Sequence, residues 1–220
     1  MLPIDTLKFL KSLQNNNNKN WMDEHRTEYE NARNNFSEFV TKLIKGVSKF
    51  DTSISALLAK DCTFRINRDI RFAKDKRPYK NNFAAYLNKG GKKGEGAGYY
   101  IHIEPGKSFI AAGIWMPEPA TIAKIRQEID YNFKEWNQIL NSAGFKKRFT
   151  NGLDNNDSLS RPPKGYTADN PAVEFLKMKS FIARQTFTDK EVTDKNFLEI
   201  ISKSFETIKI MIHFINRSLD

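Results

Sequence analysis

This 220-residue chain has one cysteine, three histidines and no apolar run approaching the ~20 residues that a helix needs to cross a bilayer. A lone Cys62 excludes an intramolecular disulfide and a thiolate metal cluster and fits a reducing compartment, so a cytoplasmic home is expected. The longest strongly apolar stretch, residues 109–116, falls far short of a span, and no membrane partner is expected. His25, His102 and His213 are scattered singly, without the paired spacing of a zinc site, so no metal is expected. Gly-x-Ser-x-Gly is missing, as is the Gly-x-x-x-x-Gly-Lys-Ser/Thr order of a phosphate loop. Serine hydrolase and Walker-type phosphatase readings thereby lose support, and no cofactor is implied. The start, Met1-Leu2-Pro3-Ile4-Asp5, lacks the basic, apolar and small-residue succession of a secretory signal. No Pro/Ser-rich linker divides the chain, so a single domain over 1–220 is expected.

What the chain does hold is positive charge in one place. Of a formal net charge of +10, nearly all sits in residues 65–93, where Arg65, Arg68, Arg71, Lys74, Lys76, Arg77, Lys80, Lys89, Lys92 and Lys93 face only Asp69 and Asp75. Phe64, Phe72, Tyr79, Phe83 and Tyr86 are interleaved with them. Basic charge of that density, mixed with aromatic rings in a folded domain, points to a surface for an anion, a nucleotide or a polynucleotide.

Periodicity organises the rest. Met22, Tyr29, Phe36 and Leu43 recur every seven residues and predict one long amphipathic helix over 21–48 with Asn20 as its N-cap; Asn15 to Asn18 read as a loop before it. A short helix is expected at 54–58 and a strand at 62–66, with Cys62 a buried strand residue. Tyr99, Ile101 and Ile103 alternate with Tyr100, His102 and Glu104; Pro105-Gly106 then turns the chain into an apolar strand at 109–115. One or two helices, marked by Ile122, Ile125, Ile129, Phe133, Trp136 and Leu140, end near Gly144. A short helix after Pro171, a strand over 179–187 and a terminal helix over 194–216 complete an α+β fold, a mostly antiparallel sheet flanked by long amphipathic helices.

The run from Arg65 to Tyr79 reads Arg, two residues, Arg-Asp, one residue, Arg-Phe, three residues, Lys, one residue, Pro-Tyr. With Trp21, Arg26 and Tyr29, Gly90-Gly91-Lys92-Lys93, the stretch from Gly98 to Gly106, and Arg161-Pro162-Pro163-Lys164-Gly165-Tyr166, it resembles a bacterial family of about this length, domain of unknown function family 2461. The resemblance implies a compact α+β domain and carries no catalytic roles, so the chemistry rests on the residues themselves.

Arg65, Arg68, Arg71 and Lys76 are candidates to converge on a phosphate or carboxylate, with Asp69 holding them, Tyr79 closing one side and the glycine-rich segment 90–96 as a mobile cover. The competing reading is a structural ion network of Asp69 and Asp75 with neighbouring arginines. His102, on a strand face with Tyr100 and Glu104, is a candidate proton carrier tuned by Glu104. Asp154, Asn156 and Ser158 mimic a calcium loop, but Leu159 and Gly165 stand at its glycine and glutamate positions, so an Asx-rich turn is expected. Three functions compete: a small-anion site with or without catalysis, a nucleic-acid module using Lys74, Arg77, Lys80, Lys89, Lys92 and Lys93 with Tyr79 or Tyr86 stacking on bases, and a scaffold docking an acidic protein. No pattern specifies an oligomeric state.

Overall fold

Among the described residues the chain forms ten α-helices and one four-stranded sheet, and several of their buried faces are apolar stripes read from the sequence. The computed structural model describes residues 1–219. Its elements run α1 (Ile4–Asn15), α2 (Lys19–Glu24), α3 (Arg26–Val47), α4 (Ala59–Cys62), β1 (Phe83–Leu87), β2 (Gly98–Ile103), β3 (Ser108–Ile114), α5 (Pro119–Tyr131), α6 (Phe133–Asn141), α7 (Ala143–Arg148), α8 (Val173–Leu176), β4 (Phe181–Phe187), α9 (Asp189–Val192) and α10 (Phe197–Arg217). The strands form an antiparallel sheet in the order β1-β2-β3-β4, which makes the fold α+β. No described helix is long and apolar enough to cross a membrane.

The chain divides into two compact units, Met1–Lys93 with Tyr100–Ile110 and Thr186–Lys203, and Gly94–Tyr99 with Ala111–Gln185 and Ser204–Asp220. In the first, α3 buries Phe36, Phe39, Val40, Leu43 and Val47, the seven-residue stripe with its neighbours. Phe36 stacks on Phe83 of β1 at 5.5 Å and Phe39 on Phe197 at 5.7 Å. Each such ring contributes roughly 1.5–3 kcal/mol by leaving water. In the second, the fully buried Trp136 of α6 lies edge-on to Phe181 of β4 and meets Phe214 of α10 at 5.0 Å, while Tyr99 packs on Phe205 at 5.0 Å.

Where structure and pattern differ, the reason is local chemistry. The stripe over 21–48 is two helices, because His25 leaves helical geometry (φ −106°, ψ 28°), stacks on Trp21 at 4.1 Å and points Nδ1 at the Trp21 carbonyl. The N-cap is Asn18, whose side chain accepts from the Trp21 N–H, and not Asn20. Helix α1, which the periodicity reading does not include, buries Leu7, Phe9, Leu10 and Leu13. The helix expected at 54–58 is a 3₁₀ turn at Thr52–Ile54, followed by α4. The helices marked by residues 122–140 are two, α5 and α6, and end at Asn141, just before Gly144, which itself lies inside α7. The β2–β3 hairpin, the helix after Pro171, strand β4 and helix α10 stand where the patterns put them.

Cys62 closes α4 and begins no strand. It is fully buried, and burial followed by the neighbouring Asp61 pushes its thiol up to about 11. At about pH 8, native protein is therefore expected to resist a thiol-directed reagent and to react only after unfolding. Modification of the native state at the rate of a free thiol would contradict this.

Candidate anion-binding site

The basic segment is a hairpin grown from the end of the sheet. Thr63 bridges Ala85 and Asn67 bridges Tyr79, both antiparallel, with Phe64 N–H donating to Ala84, Arg68 to Pro78 and Lys80 to Ile66. Only Arg65 lies between Phe64 and Ile66, whereas Asn81, Asn82 and Phe83 lie between Lys80 and Ala84, so the second arm carries a bulge. Asn17 clasps that arm: its side-chain amide donates to the Tyr79 carbonyl and Asn81 Oδ1 at 3.0 and 2.9 Å and accepts from the Tyr79 N–H at 3.1 Å. A side-chain amide thus replaces the backbone partner that a neighbouring strand would supply. Asn16 bonds the Ser12 carbonyl and Asn18 caps α2, so the polar run before α2 is a set of fitted joints.

The hairpin tip is built from one local unit used twice. In Asp69-Ile70-Arg71 and Asp75-Lys76-Arg77, the aspartate accepts the backbone N–H of the arginine two residues on and grips its guanidinium through Nε and Nη2. Asp75 also takes Arg68 Nη1, so one carboxylate holds two arginines. Lys76 Nζ ties the units together by donating to the Ile70 carbonyl at 3.1 Å. Arg77 and Arg68 hold the Asp75 carboxyl well below the usual carboxylate range, and hydrogen bonds from Arg71 lower that of Asp69.

The candidates therefore part company. Arg68, Asp69 and Arg71 are in ion pairs, and Lys76 is bonded to backbone. Tyr79 is buried, its phenol shifted upward by that burial, and its backbone is held by Asn17, so its ring offers no stacking face. Tyr86 is half-buried, and desolvation raises its phenol to about 12. Gly91, at φ +65°, presses against the Asp61 carbonyl, and Lys92 Nζ donates to the Lys60 carbonyl at 2.8 Å, so the glycine-rich segment is docked on α4. Arg65 and Lys80 are left without an ion pair among the described residues. Lys80 sits over the Phe64 ring at 5.6 Å, and burial, then repulsion from Arg65, lowers its proton affinity.

Phe64 leads onto the outer sheet face, where its ring meets Tyr100 at 6.4 Å. His102 shares that face, stacks on Phe109 at 4.7 Å, and contacts Glu104 Oε2 through Nε2 at 2.9 Å and Tyr100 Oη through Nδ1 at 3.2 Å. Asn82, from the bulge, reaches the same Nδ1 at 3.3 Å. Asn82 is absent from the sequence-derived candidates, and Lys80 stands there only among the nucleic-acid contacts, because strand parity is silent about a bulge. Tyr100 shared the parity of His102 and was legible by it. Elsewhere, Asp154 forms an Asx turn with Asn156 and pairs with Arg184. Among the described residues no group of three His, Cys, Asp or Glu side chains is placed to hold a metal.

A family model described as conserved hypothetical protein (DUF2461) matches residues 5–214. No curated protein and no solved structure matches the chain. With the hairpin motif and the α+β fold inside a match of that length, the chain belongs to domain of unknown function family 2461.

Proposed function

We propose that the chain binds a phosphate- or carboxylate-bearing small molecule between Arg65 and Lys80, at the edge of the Phe64–Tyr100–His102 face. The observation that carries this is the contrast within one hairpin. Asp69 and Asp75 are committed to Arg71, Arg77 and Arg68, yet Arg65 and the half-buried Lys80 repel each other, with no carboxylate in an ion pair with either among the described residues. Two cations held in that way are stabilised by a bound anion, and charge-assisted hydrogen bonds with an aromatic floor give it geometry. The lone buried thiol supports a cytoplasmic setting for this activity.

Calorimetric titration with inorganic phosphate and with citrate tests the proposal. Lys80→Met is expected to weaken binding roughly ten- to hundredfold, the range for a lost charged hydrogen bond, while Lys124→Met on exposed α5 leaves it unchanged. Absence of binding to either anion, or equal affinity in Lys80→Met, would overturn it.

A second reading, a single-stranded nucleic acid, is favoured by Phe72. Its ring is 94% exposed at the hairpin tip, with Arg71 5.9 Å from its centre and Lys74 and Lys76 beside it in sequence. An exposed ring on a braced basic tip suits base stacking with phosphate contacts. Oligonucleotide binding followed by fluorescence anisotropy should then fall steeply with salt and lose about 1–3 kcal/mol in Phe72→Ala. A salt-insensitive or unchanged affinity would remove this reading.

A further inference from the structure

We propose that Tyr100 is a reacting group of this protein, exchanging its phenolic proton with His102 to act as base or nucleophile on the small anion bound by Arg65 and Lys80. The substrate in this statement rests on the reading above; the reactivity of Tyr100 does not. The imidazole of His102 is fixed on every side. Its Nε2 lies 2.9 Å from Glu104 Oε2, and only 15% and 20% of the two side chains are exposed, so Nε2–H donates to the carboxylate. Glu104 is itself anchored, its backbone N–H donating to Oγ of the buried Ser108 at 3.1 Å. Phe109 lies flat against the ring, with 16° between the planes.

With Nε2 carrying the proton, the Nδ1 lone pair faces Tyr100 Oη at 3.2 Å and the Asn82 amide nitrogen at 3.3 Å. This is the geometry of a base poised on a hydroxyl, with a carboxylate orienting the base. A purely structural His–Glu pair needs no hydroxyl at its second nitrogen. On its other side the Tyr100 ring meets Phe64, the ring that lies under the Lys80 ammonium. In the step, the Oη–H bond breaks as the Nδ1–H bond forms, and the imidazolium is held by Glu104. As base, the phenolate takes a proton from the bound anion and re-forms its Oη–H bond; as nucleophile, it bonds to an electrophilic phosphorus or carbon as that atom's bond to its leaving group breaks, and the leaving group takes the proton held on His102. Tyr100 touches the substrate, His102 is its proton acceptor, and Glu104 and Asn82 are positioning residues.

Phenylmethanesulfonyl fluoride tests this on the full chain without knowledge of the substrate. The tyrosine Oη–S bond forms as the S–F bond breaks, fluoride leaves, and the phenolic proton passes through His102 to solvent. Peptide mapping is expected to find the adduct on Tyr100, formed roughly a hundredfold faster than on Tyr131, which is more exposed, in keeping with the ~10²–10⁴-fold of a positioned base. Tyr100→Phe should abolish that adduct. His102→Gln should slow it roughly tenfold or more, and Glu104→Gln should slow it and displace its pH profile. Labelling of Tyr100 no faster than of Tyr131, or unaffected by His102→Gln in a variant with wild-type circular dichroism, would overturn the proposal. If His102→Gln does not fold, Glu104→Gln and Asn82→Ala decide, and unchanged rates in both would overturn it. Lys80→Met separates the two readings: labelling that persists when phosphate binding is lost supports the relay alone, and phosphate binding with no preferential Tyr100 adduct supports the anion site alone.

Discussion

Gly113→Ala is expected to leave no cooperative folded state. Gly113 lies in β3 at φ +133°, a conformation that side-chain-bearing residues rarely adopt, and a Cβ built there falls on the Phe181 carbonyl oxygen, with Ile182 Cα at 3.1 Å. The obstacle is backbone of β4, the adjacent strand, so it cannot swing aside as a side-chain tip would. Ala112 and Phe181 are within 1% of complete burial, which leaves the strands no slack to separate. Backbone strain of ~1–3 kcal/mol plus the overlap places the loss in the exceptional class above ~4 kcal/mol, against ~5–15 kcal/mol for a whole domain. Gly106→Ala is the control. It also sits at positive φ, +73°, in the β2–β3 turn, but a Cβ there meets nothing within 4 Å. Its loss should be about 1 kcal/mol, the conformational part alone. Denaturant unfolding of the two variants measures the difference: no cooperative transition is expected for Gly113→Ala, and a transition with the midpoint of Gly106→Ala would show that the approach of Phe181 costs nothing.

Asp75→Ala is expected to dissolve the hairpin tip while sparing the helices and the sheet. That one carboxylate accepts from Arg68, from the Arg77 guanidinium and from the Arg77 backbone N–H. Without it, five cations, Arg68, Arg71, Lys74, Lys76 and Arg77, crowd the tip with only Asp69 to offset them. Trypsin should then cut within 68–77 under conditions that leave the wild type intact, with circular dichroism unchanged. The native Asp75 carboxyl lies below its unfolded value of about 3.9, so its contribution is full above that value. It is lost progressively as pH falls below about 3.9 toward the depressed native value. Asp69 shifts in the same direction and reinforces the window. Susceptibility of the wild-type tip, assayed with an acid-active protease, should therefore appear below about pH 4 and be absent at neutral pH. A tip in Asp75→Ala as resistant to trypsin as in the wild type would show that the Asn17 clasp suffices without the ion pairs.

Gly113 acts where local pattern is silent, whereas the pairing of Asp75 with a neighbouring arginine was one of two readings open in the sequence. The helical stripe of α3, the alternation of β2, the Pro105-Gly106 turn and the face of α10 were legible because each is a property of residues a few positions apart. The break at His25 was not, since it depends on how an imidazole packs on Trp21. Strand β1 was hidden for another reason. Phe83-Ala84-Ala85-Tyr86-Leu87 is buried almost throughout and shows no alternation.

The same division runs through the candidate site. The sequence by itself determined that positive charge is concentrated in 65–93, that the Asp-x-Arg unit occurs twice, that His102 and Tyr100 share a strand face, and that the chain belongs to its family. Tertiary structure alone decided which cations are spent and which remain. Asn17 reaches Tyr79 across 62 positions and Asn82 reaches His102 across 20. Ion pairing and desolvation change steeply over a few ångströms, whereas sequence spacing fixes such distances only within a single turn or strand pair.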